Sequence, residues 1–428
     1  MMVPVVFEAL AKIVFMFLVI MSFVPLLIWA ERKGSAFIQD RTGPNRAAIL
    51  GLRLAGLVHP IADVLKLVFK EDVVPAQRHR VLYAFAPWLV MTVAMSTYAV
   101  IPFGDHLRLG GREYQLVVAD LEVGLLYVLA VSSLATYGVA LGGWASNSKY
   151  TFLGALRSAA SMISYEITMG LALMGLFLVF GTFRLTELVH QQGDLIWGWL
   201  PRWGIVVQPV GFLLFIAAVY AETNRTPFDM TERDSEIVAG YHTEYSSLKF
   251  ALFFMAEYAH MVIGAALIAA LYFGGYQIPW LRRELIEDQA GLLLTGLLAA
   301  GALLHGWLAS LYFRRARREK GWYRDARERE PGVLGAVALV IGLALLGSLL
   351  LRPWSLGAAG ASVLATLLQT GFFIAKIACF AWLFIWVRWT VPSFRYDQVM
   401  RLGWQILLPV GLVNLVVTAL WLAAAHRP

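Results

Sequence analysis

AETNRTPFDMTERDSEIVAGYHTEYSSLKFALFFMAEY, residues Ala221–Tyr258, is the stretch whose reading decides the fold. It leaves one apolar segment and runs back into another, which makes it a loop between two membrane helices. Between Glu222 and Leu248 it carries six carboxylates, Glu222, Asp229, Glu232, Asp234, Glu236 and Glu244, in a chain of net charge +7. Only Arg225 and Arg233 oppose them. Acid does not collect beside a bilayer to improve insertion; it suggests a site that handles protons or cations. A solvated loop is the plainer alternative. Two features weigh against it. Glu257 and His260 lie past the loop, inside the next apolar segment, and Pro227 and Gly240 punctuate the loop as if its path mattered.

Working outward, the composition is that of a membrane protein. Of 428 residues, 59% are hydrophobic and 15% charged, and the mean hydropathy is +0.68. Several continuous apolar runs approach the ~20 residues that a helix needs to span hydrocarbon, and they do not alternate as barrel strands would. The expected fold is an all-α polytopic membrane protein of about ten spans. These are Val5–Trp29, Val81–Ile101, Leu121–Gly142, Ser161–Phe180, Trp203–Tyr220, Phe250–Phe273, Ala290–Phe313, Val333–Leu351, Ser362–Val387 and Trp404–Ala424. The first is not a signal peptide, because no basic residue precedes its apolar core and Glu8 and Lys12 interrupt it. With the N-terminus outside, 24 of the 35 lysines and arginines fall in cytoplasmic segments and eight in outer ones. That bias puts both termini outside. The single cysteine, Cys379, cannot hold an iron–sulfur cluster, and no Gly-rich phosphate loop or dinucleotide fingerprint is present. Redox chemistry would need cofactors carried by partners.

The same topology sets depths. Glu166 lies about five residues into the fourth span, ~8 Å below the interface, and Glu257 about 12 Å deep. Glu222 caps the fifth span on that side. Each ionised group buried there costs ~2.5 kcal/mol or more unless paired or hydrated. From about Leu52 to Lys70 the pattern becomes amphipathic: His59, Asp63, Lys66 and Lys70 make one polar stripe and Leu57, Ile61, Leu65 and Val68 an apolar one. Such a helix lies at the interface or roofs a cavity. The last cytoplasmic loop brings Arg388, Arg395, Asp397 and Arg401 to the acidic side. Guanidinium groups keep their charge and make fixed counter-ions for titrating carboxylates; phosphate or lipid head-group binding is the plainer use for them.

Together these segments carry a likeness. Glu31–Lys33 (ERK), Gln39-Asp40-Arg41, Gly43-Pro44-Asn45, Asp63, Lys66 and Lys70-Glu71-Asp72 come first. Gly143–Tyr150 (GWASNSKY), Ser164–Glu166 (SYE), Ala221–Asp229, Glu236–Tyr245, Ala256–Tyr258 (AEY) and Arg395–Trp404 follow in order. Over about Met1–Tyr276 and Ser362–Ala424 the chain closely resembles one membrane-subunit family of proton-pumping NADH:quinone oxidoreductase, respiratory complex I. In bacteria that family is lettered H. The sequence departs from its pattern at Ser393, where an arginine is usual, and at Gln405, where a lysine is common.

The family usually has eight spans. On that basis the chain divides into a family-like core (residues 1–280, with the interfacial helix near 52–70 and the acidic loop 221–249), an inserted helix pair (281–351), and a family-like last pair (352–428). The resemblance implies a subunit at the heel of an L-shaped complex, forming with soluble subunits the chamber where quinone is reduced. Glu31, Arg32, Arg41, Asp63, Lys66, Arg225 and Asp229 would line or brace the chamber. Glu166, Glu222, Glu236, Glu244 and Glu257 would lead protons to the membrane axis, supported by Arg388, Arg395, Asp397 and Arg401. The implied substrate is quinone, with FMN and iron–sulfur clusters in partner subunits and no metal or cofactor on this chain. The implied partners are the other membrane-arm subunits, the soluble quinone-site subunits and lipid, with no nucleic acid, in a bacterial inner membrane. The alternatives are the homologous subunit of a membrane-bound hydrogenase and, from a different class, a secondary ion transporter.

Overall fold

In hydrocarbon a backbone N–H or C=O finds partners only within its own segment, so each long apolar run becomes helix. The computed structural model describes residues 2–230, 239–321, 328–350 and 356–425. In chain order the helices are α1 (Met2–Ile38), α2 (His59–Phe69), α3 (Arg80–Thr97), α4 (Gly124–Ala145), α5 (Lys149–Phe180), α6 (Leu185–Gln191), α7 (Gly204–Val207), α8 (Pro209–Glu222), α9 (Ser247–Tyr272), α10 (Arg283–Asp288), α11 (Ala290–Glu319), α12 (Arg329–Leu350), α13 (Ala358–Thr390), α14 (Tyr396–Arg401) and α15 (Leu408–Ala425). Among the described residues nine helices are long and apolar enough to cross a membrane. An all-α polytopic membrane fold is thus what the chain forms. The strands among those residues make two short antiparallel hairpins, the longer pairing β1 (His106–Leu109) with β2 (Arg112–Gln115).

Helix α9 is the centre of the bundle, packed against α1, α3 and α13. In its most apolar window 72% of residues are buried, against 6% for α11. Ala256, Ala259, Gly264, Ala265, Ala266, Ala269 and Ala270 are small enough to let neighbouring backbones approach, the usual way helices associate in lipid. Its C-terminal end is closed from outside. Lys376 of α13 donates to the carbonyls of Phe273 (2.6 Å), Gly275 (2.7 Å) and Gln277 (3.1 Å), which satisfies them and sets a cation at the negative end of the helix. The hairpin α11–α12 stands at the edge, with only Ala290 and Ala309 of α11 buried.

Three segments differ from the pattern read in the sequence. The stretch after Gly143, expected as a loop up to Ala160, is helical from Lys149, so α5 has 32 residues. It is ~48 Å long and exceeds the hydrocarbon thickness. Glu166 therefore lies 17 residues along it. The fifth expected span is broken: Pro209 starts α8 afresh, leaving 14 residues, ~21 Å. The break is made tolerable by Gln208, whose side chain donates to Thr418 Oγ1 (2.7 Å) and accepts from Asn414 Nδ2 (3.0 Å), both on α15. Finally, the amphipathic helix begins at His59 rather than near Leu52. Leu50, Gly51, Leu54, Ala55 and Gly56 all have positive φ and cannot continue a right-handed helix.

Candidate functional site

The ends of α1 and α13, the middle of α9 and the loop after α8 meet at one carboxylate. Glu31, near the end of α1, is buried. Its Oε1 lies 2.8 Å from a guanidinium nitrogen of Arg388, and its Oε2 3.4 Å from one of Arg225. Tyr258 of α9 donates its hydroxyl to Oε2 at 2.7 Å, and the Arg225 guanidinium stacks over the Tyr258 ring, 4.3 Å from its centroid. Two cations and a phenol thus surround one carboxylate, and charge-assisted contacts of this kind offset the cost of burying it. The loop that delivers Arg225 is tied in place by Asn224, which accepts from Ser158 of α5 (2.9 Å), and by Pro227, whose carbonyl accepts from the backbone of Phe394 (2.9 Å).

A second group of carboxylates lies between α4, α5 and α8. Glu166 and Glu222 line one small cavity with Ser132, Ser133, Thr136 and Met162. Glu222 also lines the adjoining cavity, with Ser132, Thr97, Thr223 and His260. Nε2 of His260 is buried with no hydrogen-bond partner among the described residues. Glu257 sits one residue before Tyr258 and three before His260, half-buried and engaged in polar contact. The helix α9 therefore touches both groups.

The interfacial helix α2 is fastened at two points. Arg32 donates to Asp63 at 2.5 Å across a half-exposed pair. At the other end Ser247, which opens α9, donates to the carbonyls of Leu67 (2.9 Å) and Lys70 (3.2 Å), and Lys249 pairs with Asp72. Glu244 is half-buried beside this junction, its carbonyl accepting from Tyr83 at 2.7 Å. Tyr83 stacks on Tyr245 with ring centroids 4.2 Å apart. Burial pushes the Tyr245 phenol well above its usual range, so it stays a donor, to the carbonyl of Tyr83 at 3.2 Å.

The structure brings together Glu31, Arg225 and Arg388 in one place, Glu166 and Glu222 in another, and Arg32 with Asp63 beside them. Asp229 is half-buried and makes polar contact. Lys66 and Arg41 are exposed, the latter bonded to Gln39 (2.7 Å). Arg395, Asp397 and Arg401 do not join the buried group: Arg395 faces Asp397 at 3.6 Å with both largely exposed, and Arg401 bonds Gln405 (3.1 Å). Glu236 lies outside the described residues. Sequence reasoning missed Tyr258 and the serines of α4. Tyr258 was in plain view within AEY; the Ser132-Ser133 pair in an apolar span was the signal for the second cavity.

The comparisons with known proteins agree with one another. Residues 11–419 match the family model described as NADH dehydrogenase. NADH-quinone oxidoreductase subunit 8 of Rhodothermus marinus is 40% identical over 399 residues, covering 93% of this chain and 92% of that protein. The H 1 subunit of the NADH-quinone oxidoreductase of Solibacter usitatus is 40% identical over 418 residues, covering 98% and 97%. The H subunit from Bdellovibrio bacteriovorus is 38% identical over 429 residues, covering 95% and 94%. The chain therefore belongs to the NADH dehydrogenase family, as a membrane subunit of NADH-quinone oxidoreductase of the H type.

Proposed function

We propose that this subunit forms part of the quinone chamber of its complex and couples quinone reduction to proton movement through its buried carboxylates. The observation that carries the reading is the pair of adjoining cavities. Glu166 and Glu222, from two helices, share the first, and Glu222 opens into the second toward His260. A carboxyl pair lined by hydroxyls can hold and pass protons, and at close range one member's charge sets the other's affinity.

In this reading α2 roofs the chamber, with Arg32, Asp63 and Lys66 on its polar side and Arg41 and Asp229 bracing it. Reduction of a quinone to a quinol takes two electrons and two protons. The electrons come from partner subunits, which on this reading hold FMN and iron–sulfur clusters, because a single cysteine cannot supply cluster ligands. The protons are drawn from groups around the head-group. Arg225 and Arg388 keep their charge throughout. A proton withdrawn near Glu31 therefore changes the net charge of that group, which shifts proton occupancy at Glu257, Glu222 and Glu166. Glu244 and Glu236 belong to the loop joining the two regions. Moving one charge across the membrane requires about 2.3 kcal/mol per 100 mV, which electron delivery must supply. The basic loops face the cytoplasm of a bacterial cell and both termini face outward.

Glu222→Gln and Glu257→Gln in the whole complex test the reading. Quinone reduction coupled to proton uptake by vesicles is expected to fall by at least about tenfold, with all subunits still co-purifying. Wild-type turnover in both variants removes the basis for the carboxylate path. The names of the relatives favour quinone over a hydrogenase partner. Ion transport by the isolated chain in liposomes would favour a carrier instead.

A further inference from the structure

The segment between α1 and α2 is strained and held from a distance. Leu50, Leu54 and Ala55 sit in the left-handed region (φ 51°, 48° and 55°), which crowds a residue with a Cβ. Gly56 has φ 99°, and a Cβ there would stand 2.3 Å from the carbonyl oxygen of Pro44. Such a backbone persists only where its surroundings over-determine it.

The restraint comes from the start of α12. Glu330 Oε1 accepts from the backbone N–H of Arg53 (3.0 Å) and of Leu54 (2.7 Å), and its Oε2 accepts from Arg53 Nε (2.8 Å). Arg53 in turn donates to Asn45 Oδ1 (3.1 Å). The Arg53 and Glu330 side chains are 4% and 7% exposed. One carboxylate therefore satisfies two backbone amides at the strained turn and neutralises the cation beside them. The loop it holds presents apolar surface outward: Leu50 is fully exposed, and Ile49 and Leu54 are largely so. The loop leads directly into α2, whose Ile61, Val64, Leu65 and Val68 are exposed in the same way. The restraining hairpin α11–α12 otherwise buries little.

We propose that Glu330 is a positioning residue for quinone access: the α11–α12 hairpin latches the 45–58 loop and so shapes an apolar threshold for the polyprenyl tail of the quinone. The inference rests on the chamber reading above. It gives the hairpin a task at the membrane edge of that chamber.

Glu330→Ala and Glu330→Gln in the purified complex test it by two readouts. Amide exchange of residues 45–58 is expected to quicken by roughly tenfold in Glu330→Ala and less in Glu330→Gln, which keeps an acceptor oxygen. The KM for a long-tailed quinone rises about fivefold in Glu330→Ala, while kcat and the KM for a tail-free quinone stay at wild type. Glu330→Gln carries the test alone if the alanine variant does not assemble. Unchanged exchange overturns the latch. Faster exchange with equal KM changes for both quinones, or with none, overturns the role in tail access. Failure of the proposed function shows separately, as wild-type turnover in both Glu222→Gln and Glu257→Gln.

Discussion

At the residue scale the most consequential side chain is Glu31, because two arginines and a tyrosine converge on it. Removing its charge takes a counter-charge from the buried Arg225 and the half-buried Arg388, and breaking a buried pair costs ~3–5 kcal/mol. Glu31→Gln is therefore expected to lower the melting temperature of the detergent-purified complex by several degrees. Tyr258→Phe, which removes one hydrogen bond to a charged group, costs ~1.5–3 kcal/mol and should melt between that variant and wild type. A wild-type melting temperature for Glu31→Gln contradicts the ion-paired group. Arg32 and Asp63 behave differently. Their side chains are 46% and 37% exposed, so the pair contributes at most ~1 kcal/mol. Asp63→Asn is expected to leave the melting temperature unchanged while raising the quinone KM, which separates a role in the chamber from one in stability.

At the element scale, close backbone approach decides where the helices can meet. A Cβ on Gly154 of α5 would lie 2.7 Å from Gly240 Cα and 3.0 Å from Tyr241 N. Neither is a flexible side-chain tip, so Gly154→Ala must push α5 off the loop before α9. The expected cost is ~1–3 kcal/mol, read as lost assembly or a lower melting temperature. Gly296 in α11 has nothing within 4 Å of its would-be Cβ. Gly296→Ala should be neutral or stabilising by up to ~1 kcal/mol through helix propensity. Equal effects of the two substitutions would mean that α5 does not pack as described. The amphipathic character of α2 was legible from His59, Asp63 and Lys66, whereas its start was not. Periodicity continues back to Leu52, but the positive φ values at Leu54, Ala55 and Gly56 end the helix, in a turn whose Arg53 and Leu54 amides bond Glu330 from far along the chain.

At the scale of the whole molecule, orientation is open to a direct test. In a Cys379→Ser background, Arg112→Cys at the start of β2 should react in intact cells with a membrane-impermeant maleimide, and Arg318→Cys at the end of α11 only after the membrane is opened. The reverse pattern would invert the topology and put the carboxylates on the wrong side for the proposed coupling. The helical membrane fold was determined by the sequence alone, because hydropathy acts locally and a long continuous apolar run satisfies its own backbone in hydrocarbon as a helix; the position of Glu166 along its helix was not, since α5 begins at Lys149. Only the tertiary structure decided that Glu31, Arg225 and Arg388 share one site, that Glu222 opens toward His260, and that Glu330 grips Arg53. These partners lie far apart in the chain. Which charges meet depends on how helices of nearly uniform apolarity pack, and that packing turns on small residues whose spacing does not name the helix on the other side.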